Sequence, residues 1–278
     1  MERIMKKIAS HETIGIYAPD RSRFSFLKSP YAAHKTNSAV DIYYGSFGGE
    51  ALSPVDGKII DIRSYDTPTP FKNRDSKEYL IAVEKGNFVI KIIHIEPDVS
   101  IGEKISRGDR IGTFIKNGYF IFWNDPVMHV EVRRPHDYLR ASNNLDLIPS
   151  IDWNGVPDSI PEIMDLECRV EQINESYAKL CAPYRTCGEV KGFSIDGGFI
   201  DGFVRPHPDN FFGVIKPEGF TRPKLSELEI TSDGSKIKCG GIAFCLSFNE
   251  PWVKVIPQRY GEKPFSKGDE VHIRLGIQ

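Results

Sequence analysis

In the run Phe88-Val-Ile-Lys-Ile-Ile-His-Ile95, Ile90, Ile92 and His94 fall on one side of an extended chain, and Lys91, Ile93 and Ile95 fall on the other. Both sides are largely apolar, so the run reads as a central strand covered on two faces. Working outward, Val40–Tyr44, Lys58–Ile62, Tyr79–Val83, Arg110–Ile115 and Val127–Val132 are runs of the same kind, separated by turn signals. Helical periodicity is absent from Ile14 to about Leu139, and the first half of the chain is expected to be all-β.

The 278 residues are 40% hydrophobic, 11% aromatic and 27% charged, the mix of a chain able to bury a real core, which excludes a disordered or fibrous protein. A formal charge of -2 gives no global attraction to nucleic acid or to an anionic membrane surface, so neither is expected as a partner. No window approaches the ~18 consecutive apolar residues of a membrane span. His11, Glu12 and Thr13 interrupt the basic N-terminus before any apolar stretch of signal-peptide length, so the expected location is cytoplasmic. The five cysteines, Cys168, Cys181, Cys187, Cys239 and Cys245, then read as reduced thiols. Their spacings leave five residues between Cys181 and Cys187 and between Cys239 and Cys245, wider than zinc ribbons use.

A turn-rich connection from Ala141 to Asp158 divides the chain into domains expected at 1–145 and 146–278. After it, Ser159 and Glu162 form a capping-box pattern, and Ile163, Leu166, Val170, Ile173, Tyr177 and Leu180 supply an apolar stripe. This predicts one amphipathic helix, followed by a β-rich module punctuated by glycines. One pattern occurs twice, Ser106-Arg-Gly-Asp109 and Ser266-Lys-Gly-Asp269, each a tight turn feeding a strand. Arg205-Pro-His-Pro-Asp209 reads as a proline-fixed surface turn.

The first half holds four residues of metal-site type: His34, Asp41, His94 and His129. Imidazole nitrogen and carboxylate oxygen are the donors that a catalytic zinc uses while keeping a position open for water. Around them stand Val40-Asp-Ile-Tyr-Tyr-Gly45, Ala51-Leu-Ser-Pro-Val-Asp-Gly-Lys-Ile-Ile60, Ile92-Ile-His-Ile95, Ile101-Gly-Glu-Lys-Ile-Ser-Arg-Gly-Asp-Arg-Ile-Gly112 and Met128-His-Val-Glu-Val-Arg-Arg134. In content and order, these blocks resemble the lysostaphin-type zinc endopeptidases over residues 34–139. The resemblance implies a mainly β protein whose N-terminal domain is of barrel-sandwich, duplicated-hybrid type. It puts Asp41 and His129 on metal-ligand places and His94 on the central catalytic one.

Two positions depart from that family. Val127 stands where a catalytic imidazole is expected, and it can neither take nor donate a proton. Counting back from Asp41 to the family's early histidine lands on Asn37, so His34, seven residues before Asp41, would have to be brought in by the intervening loop. Ser53-Pro-Val-Asp-Gly-Lys-Ile59 also resembles biotinyl or lipoyl carrier domains, and Ile92-Ile-His-Ile95 resembles the phosphocarrier domain of glucose-type phosphotransferase systems. The first would want its lysine at a hairpin tip, whereas Lys58 lies within an expected strand, and the second would want another histidine between Arg63 and Val89. Two functions are therefore expected. One is a peptidase-like protein with an incomplete zinc site that binds a peptide-like ligand or protein partner with weak or no turnover. The other is a zinc-dependent endopeptidase or amidase using His34, Asp41 and His129 as ligands.

Overall fold

The computed structural model describes residues 4–68, 76–141, 143, 145–154, 161–205 and 210–278. The protein is mainly β, and among these residues the one helix is the four-residue Ala32–Lys35. Two compact units divide the chain: Met1–Phe26 with Tyr31–Ser150, and Leu27–Pro30 with Ile151–Gln278. Asn144, Gly155, Pro157 and Ser159 of the expected connection and cap, and residues 206–209 of the expected surface turn, lie outside the described residues. No helix among the described residues is long and apolar enough to cross a membrane.

In the first unit the strands Lys104–Ile105, Gly57–Asp66, Lys77–Lys85, Phe88–Ile93, Met128–Arg133, Ala39–Tyr43 and Arg23–Ser25 lie side by side in that order, antiparallel throughout. Phe88–Ile93 is in the middle, with Val89, Ile90 and Ile92 fully buried, as two-sided apolarity requires. A smaller sheet pairs Arg110–Phe114 with Glu50–Leu52 on one side and Ile95–Pro97 on the other. Another joins Met5–His11 to Ile14–Pro19 and Ile148–Pro149. The run expected as one strand to Ile95 is in fact two. Its ladder stops at Ile93, His94 takes a left-handed backbone with φ +73°, and Ile95 resumes in the smaller sheet.

The second unit contains no helix among its described residues, which corrects the expected amphipathic helix. The segment forms two antiparallel strands, Ile163–Ile173 and Ala178–Cys181, joined by a turn in which the Asn174 side-chain oxygen accepts the Ser176 and Tyr177 amides. The competing signal was an alternation: Met164, Leu166, Cys168 and Val170 are buried, whereas Asp165, Glu167, Arg169 and Glu171 face solvent. Ile163, on the proposed helical stripe, is 42% exposed. These strands sit in a long antiparallel sheet that also includes Gly198–Val204, Gly241–Phe244, Val253–Ile256 and Glu270–Ile277. Leu166, Val170, Leu180, Phe244 and Ile273 pack in its core.

The repeated Ser-x-Gly-Asp motif folds the same way twice. Asp109 accepts the Ser106 amide at 2.7 Å and Asp269 accepts the Ser266 amide at 2.7 Å, with Gly108 (φ +85°) and Gly268 (φ +94°) supplying the left-handed position. Each turn leads into a strand, Arg110–Phe114 or Glu270–Ile277.

Candidate metal centre

Asp41 and His129 are direct cross-strand partners on Ala39–Tyr43 and Met128–Arg133, so their side chains share a face and meet. His34 arrives from the short helix Ala32–Lys35. Ser38 donates its amide back to the Ala33 carbonyl at 2.8 Å, and Asn37 takes a left-handed backbone with φ +57°, which asparagine tolerates. The chain thereby reverses and enters the strand at Ala39. The helical turn and reversal take up the seven-residue spacing, and Asn37, four residues before Asp41, serves as the reversal point.

Three atoms converge. His34 Nε2 lies 3.2 Å from Asp41 Oδ1 and 3.2 Å from His129 Nδ1, and His129 Nδ1 lies 2.8 Å from Asp41 Oδ1. All three residues are buried, and the group could hold a metal ion. Ligand atoms around a four-coordinate zinc at its usual bond lengths are roughly 3.3 Å apart; the two separations from His34 Nε2 come close to this, whereas His129 Nδ1 and Asp41 Oδ1 stand at hydrogen-bond distance.

Surrounding bonds set the donor atoms. His34 Nδ1–H donates to the Phe26 carbonyl at 2.7 Å, and a carbonyl can only accept, so the Nε2 lone pair is turned inward. His129 Nε2–H donates to Glu131 Oε1 at 3.0 Å, which leaves Nδ1 for the centre. The Tyr43 hydroxyl donates to Asp41 Oδ2 at 3.1 Å, leaving Oδ1 for the centre. Glu131 is itself held by Lys91 Nζ at 3.4 Å and Arg133 Nη1 at 3.1 Å, both buried cations.

The electrostatics follow from this packing. Burial works against the Asp41 carboxylate, but its electrostatic interaction with His34 and the hydrogen bonds of both histidines hold its pKa well below the usual range. Burial likewise disfavours the His129 imidazolium, yet the hydrogen bonds to Asp41 and Glu131 raise its pKa to about 9 in the metal-free site. Glu131, against the cost of burial, is brought down to about 2 by His129 and then by Lys91 and Arg133.

His94 stands beside this group, its ring centroid 6.3 Å from that of His129 and 5.0 Å from that of Phe120. Its Nδ1–H donates to Glu78 Oε2 at 2.6 Å and its backbone amide donates to Glu78 Oε1 at 3.0 Å. Val127, two residues before His129, is buried and apolar. The structure therefore brings all four sequence-predicted residues to one place.

Sequence reasoning missed Glu131, Tyr43, Glu78 and Asn117. Glu131 carried a usable signal, since it is two residues beyond His129 and so on the same face of one strand. Tyr43 stands in the same relation to Asp41. Glu78 carried none, because its partner is sixteen residues away on the neighbouring strand. Among the described residues the thiols form no comparable group: all five cysteines are free, and burial raises the pKa of Cys168 to about 12 and of Cys239 to about 11.

Residues 15–149, which contain all four site residues, match the family model described as Domain of unknown function (DUF8155) N-terminal domain. No curated protein and no solved structure matches the chain.

Proposed function

We propose that the first unit is a metal-dependent hydrolase of amide bonds in peptide-like substrates, similar to the lysostaphin-type endopeptidases, with a zinc-class ion on His34, Asp41 and His129. One observation carries this reading: three donor atoms lie within 3.2 Å of one another, and separate bonds to Phe26, Glu131 and Tyr43 leave the inward-facing atom of each residue available. Such an ion supplies an acidified water and a Lewis acid for the carbonyl.

The chain's own residues do the rest. The strand pair Ala39–Tyr43 and Met128–Arg133 fixes two ligands rigidly, and the Phe26 carbonyl fixes the third. His94, whose ring centroid is 6.3 Å from that of His129, would accept a proton from the attacking water and return it to the leaving amine. Val127 supplies no second imidazole, and loss of one proton-handling group typically costs ~10² to 10⁴ in rate. That apolar position also supports a second reading, in which the first unit binds a peptide-like ligand without turnover.

The test is elemental mass spectrometry on the purified full chain beside hydrolysis of a peptide panel. The hydrolase reading predicts about one zinc per chain, chelator-sensitive cleavage, loss of both metal and cleavage in His129→Ala, and a rate about 10²-fold higher in Val127→His. Metal without cleavage in wild type and in Val127→His would favour the binding reading. Absence of metal after incubation with zinc would end the hydrolase reading.

A further inference from the structure

We infer that Glu78, with Asn117 behind it, is a positioning residue that locks His94 into one tautomer, hydrogen on Nδ1 and lone pair on Nε2, and so makes His94 the working base in a site where Val127 has removed the other. The inference rests on the hydrolase reading for its purpose but on hydrogen-bond geometry for its content.

Glu78 grips His94 twice. Oε2 accepts the ring Nδ1–H at 2.6 Å, and Oε1 accepts the His94 backbone amide at 3.0 Å. The second bond holds the residue at the point where the central strand ends and the backbone turns left-handed, a conformation that costs energy in a side chain of this size. The carboxylate is held in turn: Asn117 Nδ2 donates to Oε2 at 2.8 Å, and the Tyr79 amide donates to Oε1 at 2.9 Å. Both Glu78 and Asn117 are buried, so water does not replace these partners cheaply.

Burial opposes the charged form of Glu78, but its electrostatic interaction with His94 and the hydrogen bonds from His94, Asn117 and the Tyr79 amide keep its pKa below the usual carboxylate value. An ionised carboxylate only accepts, so the nitrogen facing it must carry the hydrogen. The other ring nitrogen is then left with its lone pair, on a ring that also stands beside Phe120 and His129. Glutamine at position 78 would keep the acceptor for the backbone amide, but it can turn an N–H₂ toward Nδ1. That would make Nδ1 the acceptor and move the hydrogen to Nε2, which blocks the base.

The experiment is long-range nitrogen–proton NMR on ¹⁵N-histidine-labelled full-length protein, as purified and after chelation, with the His94 signals assigned from a His94→Gln variant. In the wild type with the His94 ring neutral, the Nδ1–H form should outweigh Nε2–H by about 10-fold or more, the ratio a charge-assisted bond supports. In Glu78→Gln the ratio should fall by at least that factor or invert, with the fold checked by the amide spectrum. A wild-type His94 mainly in the Nε2–H form overturns the inference without any variant, and so does a folded Glu78→Gln protein with an unchanged ratio. On a cleaved peptide, Glu78→Gln should lower kcat by about 10²-fold with KM unchanged. Absence of wild-type cleavage would count against the hydrolase reading alone, because the spectrum decides the tautomer by itself.

Discussion

His129 lies between two carboxylates, Asp41 at 2.8 Å on Nδ1 and Glu131 at 3.0 Å on Nε2, and a doubly donating imidazolium satisfies both. With its pKa raised to about 9, His129 is mostly protonated at neutral pH when no metal is bound. A metal entering the site takes the place of the Nδ1 proton, so binding at pH 7.5 should release about one proton per ion. Calorimetry in buffers of different ionisation enthalpy checks this; zero release would contradict the assignment of Nδ1 as a ligand. The same shift fixes a sign for stability. The folded pKa lies above the ordinary 6.5, so the stabilisation from His129 is fully present below about pH 6.5 and is lost as pH rises through about 9. Denaturant melts of metal-free protein should therefore weaken from pH 6.5 to 9, and the trend should flatten in His129→Gln.

Among the elements, legibility followed the strength of local pattern. The six runs read as strands in the first half lie within or overlap the strands Ala39–Tyr43, Gly57–Asp66, Lys77–Lys85, Phe88–Ile93, Arg110–Phe114 and Met128–Arg133, because each combines apolar content with nearby turn residues. Both Ser-x-Gly-Asp turns were legible for the same local reason. The break at His94 was not, since the bonds that stabilise it come from Glu78 on another strand. Placement of His34 was half legible: its donor type was plain, but the reversal at Asn37 is a backbone event that spacing alone does not encode. Ile163–Ile173 misled because its residues satisfy two periods at once, and burial selected the shorter one. That choice is testable. Met164→Ala, off the helical stripe but in the core, should cost about 2–5 kcal/mol, whereas Glu167→Ala should stay within about 0.5 kcal/mol. Denaturant unfolding measures both, and a neutral Met164→Ala would favour the helix.

At the scale of the molecule, composition excluded whole classes but said nothing about the candidate metal centre, which depends on residues scattered from Phe26 to Glu131. The residues that could hold a metal come from a helical turn and two adjacent strands of one compact unit, so antiparallel pairing rather than a local motif assembles the group. The most direct measurement is an anomalous-difference crystal structure of the zinc-loaded full chain. It should show one ion bonded at roughly 2.0–2.2 Å to His34 Nε2, Asp41 Oδ1 and His129 Nδ1, with His129 Nε2 still donating to Glu131. An ion bound through other residues, or no anomalous peak among these three, would contradict the account.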